Sequence, residues 1–178
     1  MDFQPIVNVV LIAPEIPQNT GNVIRLCANV GARVHLVEPL GFQLENARLR
    51  RASLDYNDLT EILVHNSIDE CFQTISIGSV YGATIPGTVL YTSPRYQLGD
   101  TIVFGSESVG LPASVVDKLN FENRVHIPMM PANRSLNISN AAAIIVYEMW
   151  RQIGFSGASA LAHETQSYFS YHKSTSQD

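Results

Sequence analysis

Short apolar runs rich in β-branched residues alternate along the chain with segments of helical periodicity. The apolar runs predict strands at 6–12, 33–37, 79–84, 101–104 and 124–127. The segments between them, in which apolar residues recur every three or four positions, predict helices at 22–30, 44–52, 68–75, 112–119 and 137–153. This alternation indicates an α/β domain with a mostly parallel sheet flanked by helices.

The predicted domain covers residues 1–155 of the 178, a length that buries a sizeable core without disulfides. Residues 156–178 are rich in Ser, His and Gln and poor in aliphatic side chains. They therefore predict a polar, weakly ordered tail.

The composition is typical of a soluble globular protein, with 46% hydrophobic and 15% charged residues. No apolar run approaches the roughly 18 to 20 residues that span a bilayer, so no membrane association is expected. The first residues lack the basic start and cleavage site of a signal peptide and predict a strand instead. The cytoplasm is therefore the expected location.

The cysteines and histidines give no sign of a metal site. Cys27 and Cys71 lie in apolar contexts, and neither has a Cys or His at metal-ligand spacing. Both are expected to be reduced, buried thiols. The five histidines are scattered, without an HxxxH pair, so no metal is predicted.

The charged residues argue for a specific anionic partner over a diffuse one. A net charge of −5 disfavours indiscriminate nucleic-acid binding. Nine of the eleven basic residues are arginines, however, and the planar guanidinium suits bidentate recognition of phosphate.

Three loops that follow predicted strands carry the candidate chemistry, because ligands of open parallel sheets bind beyond the carboxyl ends of the strands. The first is APEIPQNTGNVIRLCANVG. Asn19 or Thr20 is expected to cap the next helix, and Arg25 is expected one turn inside it. The alternative is an ordinary capped helix with a surface arginine.

The second loop is GSESVGLP, which places a lone carboxylate among glycines and serines. Gly105 and Gly110 permit close approach of a ligand to the backbone, and Pro112 suits the first turn of a helix. Glu107 either serves a ligand or, in the alternative reading, caps backbone amides or pairs with an arginine.

The third loop lies in RVHIPMMPANRSLNISNAAA. It supplies Arg134 and Ser135, and then Asn137, Ser139 and Asn140 enter an apolar helix. Polar side chains in that setting are costly unless they are partnered, so they are expected to bond to backbone loops or to a ligand.

Taken in order, NxGNxxR, FGxExxGLP and IPM with SLNxSxA resemble the three motifs of the SpoU-type 2′-O-ribose RNA methyltransferases of the SPOUT superfamily. The resemblance extends to about Gly154. With EPLGF, RLRRASLDY and NVIRLCAN also present, the chain is most similar to family members that modify the wobble cytidine or uridine of leucine tRNAs.

The resemblance implies a C-terminal deep trefoil knot, an S-adenosylmethionine site in the knotted loops, and a homodimer. It implies that the catalytic residues are Arg25, Glu107, Asn137 and Ser139. The positions implied for the cofactor are Ala83, Thr84, Gly105, Ile127, Met129, Ser135, Leu136 and Asn140. The positions predicted to contact RNA are Asn19, Asn22 and Arg134, together with Arg48 and Arg51, which lie three residues apart on one face of the helix predicted at 44–52.

The role of Arg25 in such a site is expected to be stabilisation of the alkoxide and a phosphate, because a guanidinium does not normally lose its proton. Ser106 and Ser108 are not expected to matter. Two alternatives stay open: a methyltransferase for another tRNA position or for ribosomal RNA, and a cofactor- or RNA-binding module without turnover.

Overall fold

The structure is a computed structural model that describes residues 5–43, 60–75, 77–132 and 135–158. Its described strands are β1 (Asn8–Ile12), β2 (Arg33–Val37), β3 (Ile62–His65), β4 (Val80–Ala83), β5 (Val89–Leu90), β6 (Thr101–Phe104) and β7 (Arg124–His126). They form one sheet in the order β3-β2-β1-β6-β4-β7-β5, and every pairing is parallel. The predicted parallel α/β architecture is confirmed.

The helices cover both faces of this sheet. They are α1 (Pro17–Val30), α2 (Ile68–Thr74), α3 (Ala113–Val116) and α4 (Ile138–Gln152). Val9 and Leu11 of β1 face the cluster built with α1 and α4, whereas Val10 and Ile12 face the cluster that includes Cys71 of α2. Strand side chains alternate between faces, so a strand buried on both sides must be apolar throughout.

The strands predicted at 33–37 and 101–104 are confirmed at both ends. The other three are real but shorter than predicted. Two strands, β3 and β5, were missed, since β5 has only two residues and Val64 in β3 is 41% exposed. The helix predicted at 44–52 lies outside the described residues.

The start of α1 corrects the sequence prediction. The helix begins at Pro17 and not at residue 22, and Ile16 is the N-cap residue, without a side-chain capping bond. Asn19 and Thr20 are therefore inside the helix and buried, and neither is the cap. Arg25 lies in the third turn, beyond the range in which the helix dipole acts.

The helix predicted at 112–119 is also shorter than expected. It covers only Ala113–Val116, and Pro112 is its N-cap residue, so this proline precedes the first turn. In the described ranges, no helix combines the length and the apolarity that crossing a bilayer requires.

A row of buried, hydrogen-bonded polar side chains crosses the strands β1, β2 and β3. The Nδ2 atom of Asn8 donates to the carbonyl of Gly99 at 3.1 Å, which leaves its Oδ1 as the acceptor for Nε2 of His35 at 3.3 Å. The Nδ1 atom of His35 must then accept from Nε2 of His65, 2.9 Å away. The row fixes the tautomers of both rings, which are stacked.

Cys71 lies beside this pair, so that potential ligand atoms of His35, His65 and Cys71 are all within 4.8 Å of one another. Sequence spacing missed this group because its members come from two strands and a helix. The two imidazoles are bonded to each other, and burial raises the pKa of Cys71 to about 12, so the thiol is protonated. The absence of a metal stays a prediction.

The buried pair should make the protein sensitive to acid. Burial first, and then the charges of His65 and Arg33, lower the pKa of His35 to about 4. An unfolded histidine titrates near 6.5, so between pH 6.5 and 4 only the unfolded chain takes up this proton. The free energy of unfolding should fall by about 3 kcal/mol across that range.

Urea denaturation of the wild type and of His35→Gln at pH 7.5 and 4.5 measures this effect. The variant should be less stable at pH 7.5 but should lose less stability on acidification. An equal loss in both proteins would assign the acid sensitivity to other groups.

Candidate active site

The carboxyl ends of the parallel strands share one edge of the sheet, and both long helices begin there. The loop from β1 leads into α1, the loop from β6 carries Glu107, and the chain from β7 leads to Asn137 at the start of α4. Open α/β sheets bind ligands at this edge.

Glu107 binds the two backbone amides directly before α1. Its carboxylate accepts hydrogen bonds from the backbone nitrogens of Glu15 at 2.8 Å and Ile16 at 3.3 Å, and from Nδ2 of Asn19 at 2.9 Å. The first amides of a helix lack partners within the helix, and a negative charge is favourable beside them. Glu107 therefore takes the capping role that sequence analysis held as the alternative.

Asn19 extends this contact to the third motif. Its Oδ1 accepts from Nδ2 of Asn137 at 2.9 Å, while its own Nδ2 donates to Glu107. The Oδ1 of Asn137 accepts from the nitrogen of Ser139 at 2.9 Å and from the Ser139 hydroxyl at 2.6 Å. One chain of hydrogen bonds thus joins four predicted site residues from three segments.

Arg25 lies on a different face of α1. It belongs to an exposed polar stripe formed by Gln18, Asn22, Arg25 and Asn29. These positions follow the spacing i, i+4, i+7 and i+11, so they line up along the helix, with Asn19 about 100° around the axis from Gln18. The segment from Pro17 to Val30 contains no acidic residue, which makes the stripe suitable for phosphate.

The residues predicted to contact RNA differ in how far the structure describes and exposes them. Arg48, Arg51 and Arg134 lie outside the described residues. Asn22 is exposed on the stripe, whereas Asn19 is only 6% exposed and is bonded at both ends of its amide, so it has little surface left for RNA.

The predicted cofactor positions gather at the ends of β4, β6 and β7, which are neighbouring strands. Ala83 ends β4, and the nitrogen of Thr84 donates to the carbonyl of Val125 at 2.9 Å. Ile127 and Met129 follow β7 and are half-buried. Ser135, Leu136 and Asn140 are exposed around the start of α4.

Apolar side chains are exposed among these positions. Ile85 is 63% exposed, Met130 76% and Leu136 38%. Such side chains beside the strand ends can pack against the face of an aromatic ring, and the adenine of S-adenosylmethionine is a ring of that kind.

Comparison with known proteins identifies the family. The SpoU rRNA methylase family matches residues 6–147, most of the chain. This chain belongs to that family.

Relatives within the SpoU family match this chain over nearly their whole length. A tRNA (cytidine(34)-2′-O)-methyltransferase of Burkholderia ambifaria is 51% identical over 152 residues, which cover 84% of this chain and 97% of the relative. The enzyme of the same name from Escherichia coli K12 is 47% identical over 151 residues, covering 85% of this chain and 96% of the relative.

Solved structures agree with this assignment. An RNA methyltransferase from Bacillus anthracis has a TM-score of 0.78 at 42% identity, covering 85% of this chain and 96% of that one. A structure concerned with 2-OH methylation of C/U34 on tRNA has a TM-score of 0.76 at 37% identity, covering 82% and 95%.

Gly105 is also required by its own loop, a reason that the sequence did not reveal, while its approach to a cofactor stays a prediction. A Cβ atom here would lie 1.9 Å from the carbonyl carbon of Gly110 and 2.2 Å from the nitrogen of Leu111. The loop folds back on itself, with the nitrogen of Gly110 donating to the carbonyl of Ser106 at 2.8 Å. A side chain at Gly105 therefore meets this backbone whether or not a ligand is bound.

Glu15 was missed by the sequence analysis. Its carboxylate accepts from both the backbone nitrogen and the hydroxyl of Ser108. Its position directly before Ile-Pro, where α1 begins, was the available signal, because acidic residues favour helix starts.

The two glycines of this loop give a matched test. Gly105→Ala should lower the free energy of unfolding by about 3 kcal/mol or more, since its new methyl overlaps the backbone. Gly110 has a φ of 78° with nothing within 4 Å of the Cβ position. Gly110→Ala should cost only the backbone strain of about 1 to 2 kcal/mol.

Urea unfolding compares the two variants directly. If Gly105→Ala is as stable as Gly110→Ala, the loop does not fold back in the way described.

Proposed function

We propose that this protein transfers a methyl group from S-adenosylmethionine to the ribose 2′-hydroxyl of the wobble nucleotide, position 34, of tRNA. The observation that carries the proposal is the hydrogen-bonded chain through Glu107, Asn19, Asn137 and Ser139, which unites the motif residues at one edge of the sheet. The relatives named above, which match over nearly their whole length, supply the position in the RNA.

S-adenosylmethionine would contribute an electrophilic methyl group on a sulfonium. Residues Ala83, Thr84, Gly105, Ile127 and Met129 would hold it with backbone groups, with Leu136 over it. An AviRb methyltransferase of Streptomyces viridochromogenes, solved with AdoMet, has this fold, with a TM-score of 0.75 at 22% identity, 84% of this chain and 61% of that chain being covered.

Arg25 is the residue that we place against the reacting ribose. Its guanidinium stays protonated and presents donors in a plane, so it can stabilise charge developing on the 2′-oxygen and can hold the adjacent phosphate. The segment from Pro17 to Val30, which carries Arg25, contains no acidic residue.

Glu107 and Asn137 hold other parts of the site in place, because their polar atoms are bonded to donors and acceptors of the protein. The Ser139 hydroxyl donates to Asn137 at 2.6 Å, which directs its proton away and leaves its oxygen as an acceptor. We assign that oxygen to receive a hydrogen bond from the ribose hydroxyl and so to orient it. When the new oxygen–methyl bond forms, the sulfur–methyl bond would break to leave S-adenosylhomocysteine, and the hydroxyl proton would pass to solvent water.

Leucine tRNAs are the isoacceptors that we propose as substrates, on the similarity of the sequence to that branch of the family. Incubation with S-adenosylmethionine and a set of tRNAs, followed by nuclease digestion and mass spectrometry, should locate a 2′-O-methyl group at nucleotide 34 of leucine tRNA. A leucine tRNA carrying 2′-deoxyribose at that nucleotide is the control and should accept no methyl group.

Arg25→Ala should slow the reaction about a hundredfold or more under single-turnover conditions, as loss of a charge-stabilising donor does elsewhere. Arg25→Lys should recover little of this loss, and cofactor affinity should hardly change. If the protein methylates only another tRNA nucleotide, or only ribosomal RNA, the proposed substrate is wrong. Cofactor binding without methylation of any RNA would favour the binding module.

The proposed assembly is a homodimer formed through α1 and α4. The exposed face of α4 presents Ile144, 37% exposed, and Tyr147, 45% exposed. Tyr147, Trp150 and Phe155 form a run of edge-to-face aromatic contacts there. Apolar surface of this kind is typical of interfaces between subunits.

Light scattering at micromolar concentration should give twice the chain mass of 19.6 kDa. Tyr147→Glu should shift the protein toward monomer because it would place a charge in the interface, whereas Ser114→Glu, at an exposed position on α3, should not. A wild-type mass of one chain would contradict the proposal.

We also propose the trefoil knot and a cytoplasmic location. The knot is proposed from the resemblance to the family, and the sheet order is consistent with it because the last strand, β7, lies between β4 and β5 and not at an edge. A crystal structure that traces residues 80–152 tests the threading, and cell fractionation tests the location.

A further inference from the structure

Two loops of the candidate site are joined by reciprocal hydrogen bonds, because the carboxylate of each loop accepts from donors of the other. Glu107 binds the backbone nitrogens of Glu15 and Ile16 at 2.8 and 3.3 Å. In return, the carboxylate of Glu15 accepts from the backbone nitrogen of Ser108 at 3.2 Å and from the Ser108 hydroxyl. We call this reciprocal arrangement of Glu15, Ile16, Glu107 and Ser108 the glutamate clasp.

The loop after β2 closes over the same place. The nitrogen of Gly41 donates to the carbonyl of Pro14 at 2.9 Å. A Cβ atom on Gly41 would lie 2.7 Å from the Cα of Glu15, so only glycine allows this approach. The backbone of Glu15 is thus fixed from one side by Gly41 and from the other by Glu107.

Little apolar burial secures the 106–110 loop. Val109 at its tip is 80% exposed, and Ser108 and Gly110 are exposed as well. Inside the loop, the nitrogens of Val109 and Gly110 both donate to Ser106, which sets its local shape and gives no attachment to the rest of the protein. The clasp supplies polar attachment to the start of α1.

We propose that Glu15 and Ser108 are positioning residues for methyl transfer. By holding the 106–110 loop, they keep Glu107 against α1, and Glu107 in turn orients Asn19 and the chain to Asn137 and Ser139. This inference rests on the proposed function, and it gives Ser108 a role that the sequence analysis did not expect.

A double-mutant cycle tests the pairing. Glu15→Ala and Ser108→Ala should each lower the rate constant of methyl transfer about tenfold at saturating S-adenosylmethionine and tRNA, because a small misplacement of reacting groups is costly. The KM for tRNA should stay within about twofold of the wild-type value. The double variant should be no slower than the slower single variant, since both changes break one contact.

Two further serine variants sharpen the test. Ser108→Thr keeps the hydroxyl at an exposed position and should retain the wild-type rate. Ser106→Ala lies in the same loop but removes the acceptor for Val109, not a partner of Glu15. Its effect should therefore multiply with that of Glu15→Ala. Independent, multiplying effects of Glu15→Ala and Ser108→Ala would overturn the proposal, as would wild-type rates in both variants.

Amide hydrogen exchange examines the clasp apart from activity. In Glu15→Ala the Ser108 amide should exchange about tenfold faster, since its acceptor is gone. The Gly110 amide, bonded within the loop, provides the internal comparison. Unchanged exchange at Ser108 would overturn the clasp even in an active enzyme. Faster exchange in a protein that methylates no RNA would instead remove the proposed function and with it the catalytic role of the clasp.

Discussion

No side chain of α1 caps the start of this helix. The arrangement of the candidate site follows from the distant acceptor that takes this role. Ile16 occupies the N-cap position and its side chain offers no acceptor, and Pro17 continues directly into the helix. The acceptor comes instead from Glu107, far along the chain at the end of a different strand. Because a helix start so bound cannot move independently, the first and second motifs form one unit.

Asn19 joins the third motif to that unit. An amide side chain has a donor end and an acceptor end, and here Glu107 takes the first while Asn137 supplies a proton to the second. If the Asn19 amide were reversed, its oxygen would face the carboxylate of Glu107 and its NH2 group would face that of Asn137. The hydrogen bonds of the network can therefore run in only one direction. Since Asn19 is 6% exposed, loss of either partner would leave a buried polar atom unsatisfied, at a cost of about 1 to 3 kcal/mol.

Local pattern predicted the parts of the fold that depend on local chemistry. The strands at 33–37 and 101–104 are runs buried on both faces, and hydrophobicity alone identifies such runs. The start of α1 was misplaced because Asn19 and Thr20 are good capping residues, whereas the real acceptor is distant. The contact of His35 with His65 and the collision avoided at Gly105 were equally invisible, since each depends on tertiary approach. Motif resemblance gathered the site residues, but their bonds to one another needed the structure.

The clasp also bears on how a chain of net charge −5 would approach RNA. Two carboxylates beside a surface that we propose to bind phosphate would ordinarily repel an RNA backbone. Glu15 and Glu107, however, direct their oxygens at backbone amides and at the side chains of Ser108 and Asn19. The partial positive charges of these donors reduce the negative potential around each carboxylate, and the start of α1 adds a further partial positive charge. In the proposed complex, the polar stripe that includes Arg25 would meet the RNA backbone, and the local arrangement of charges would then matter more to binding than their sum.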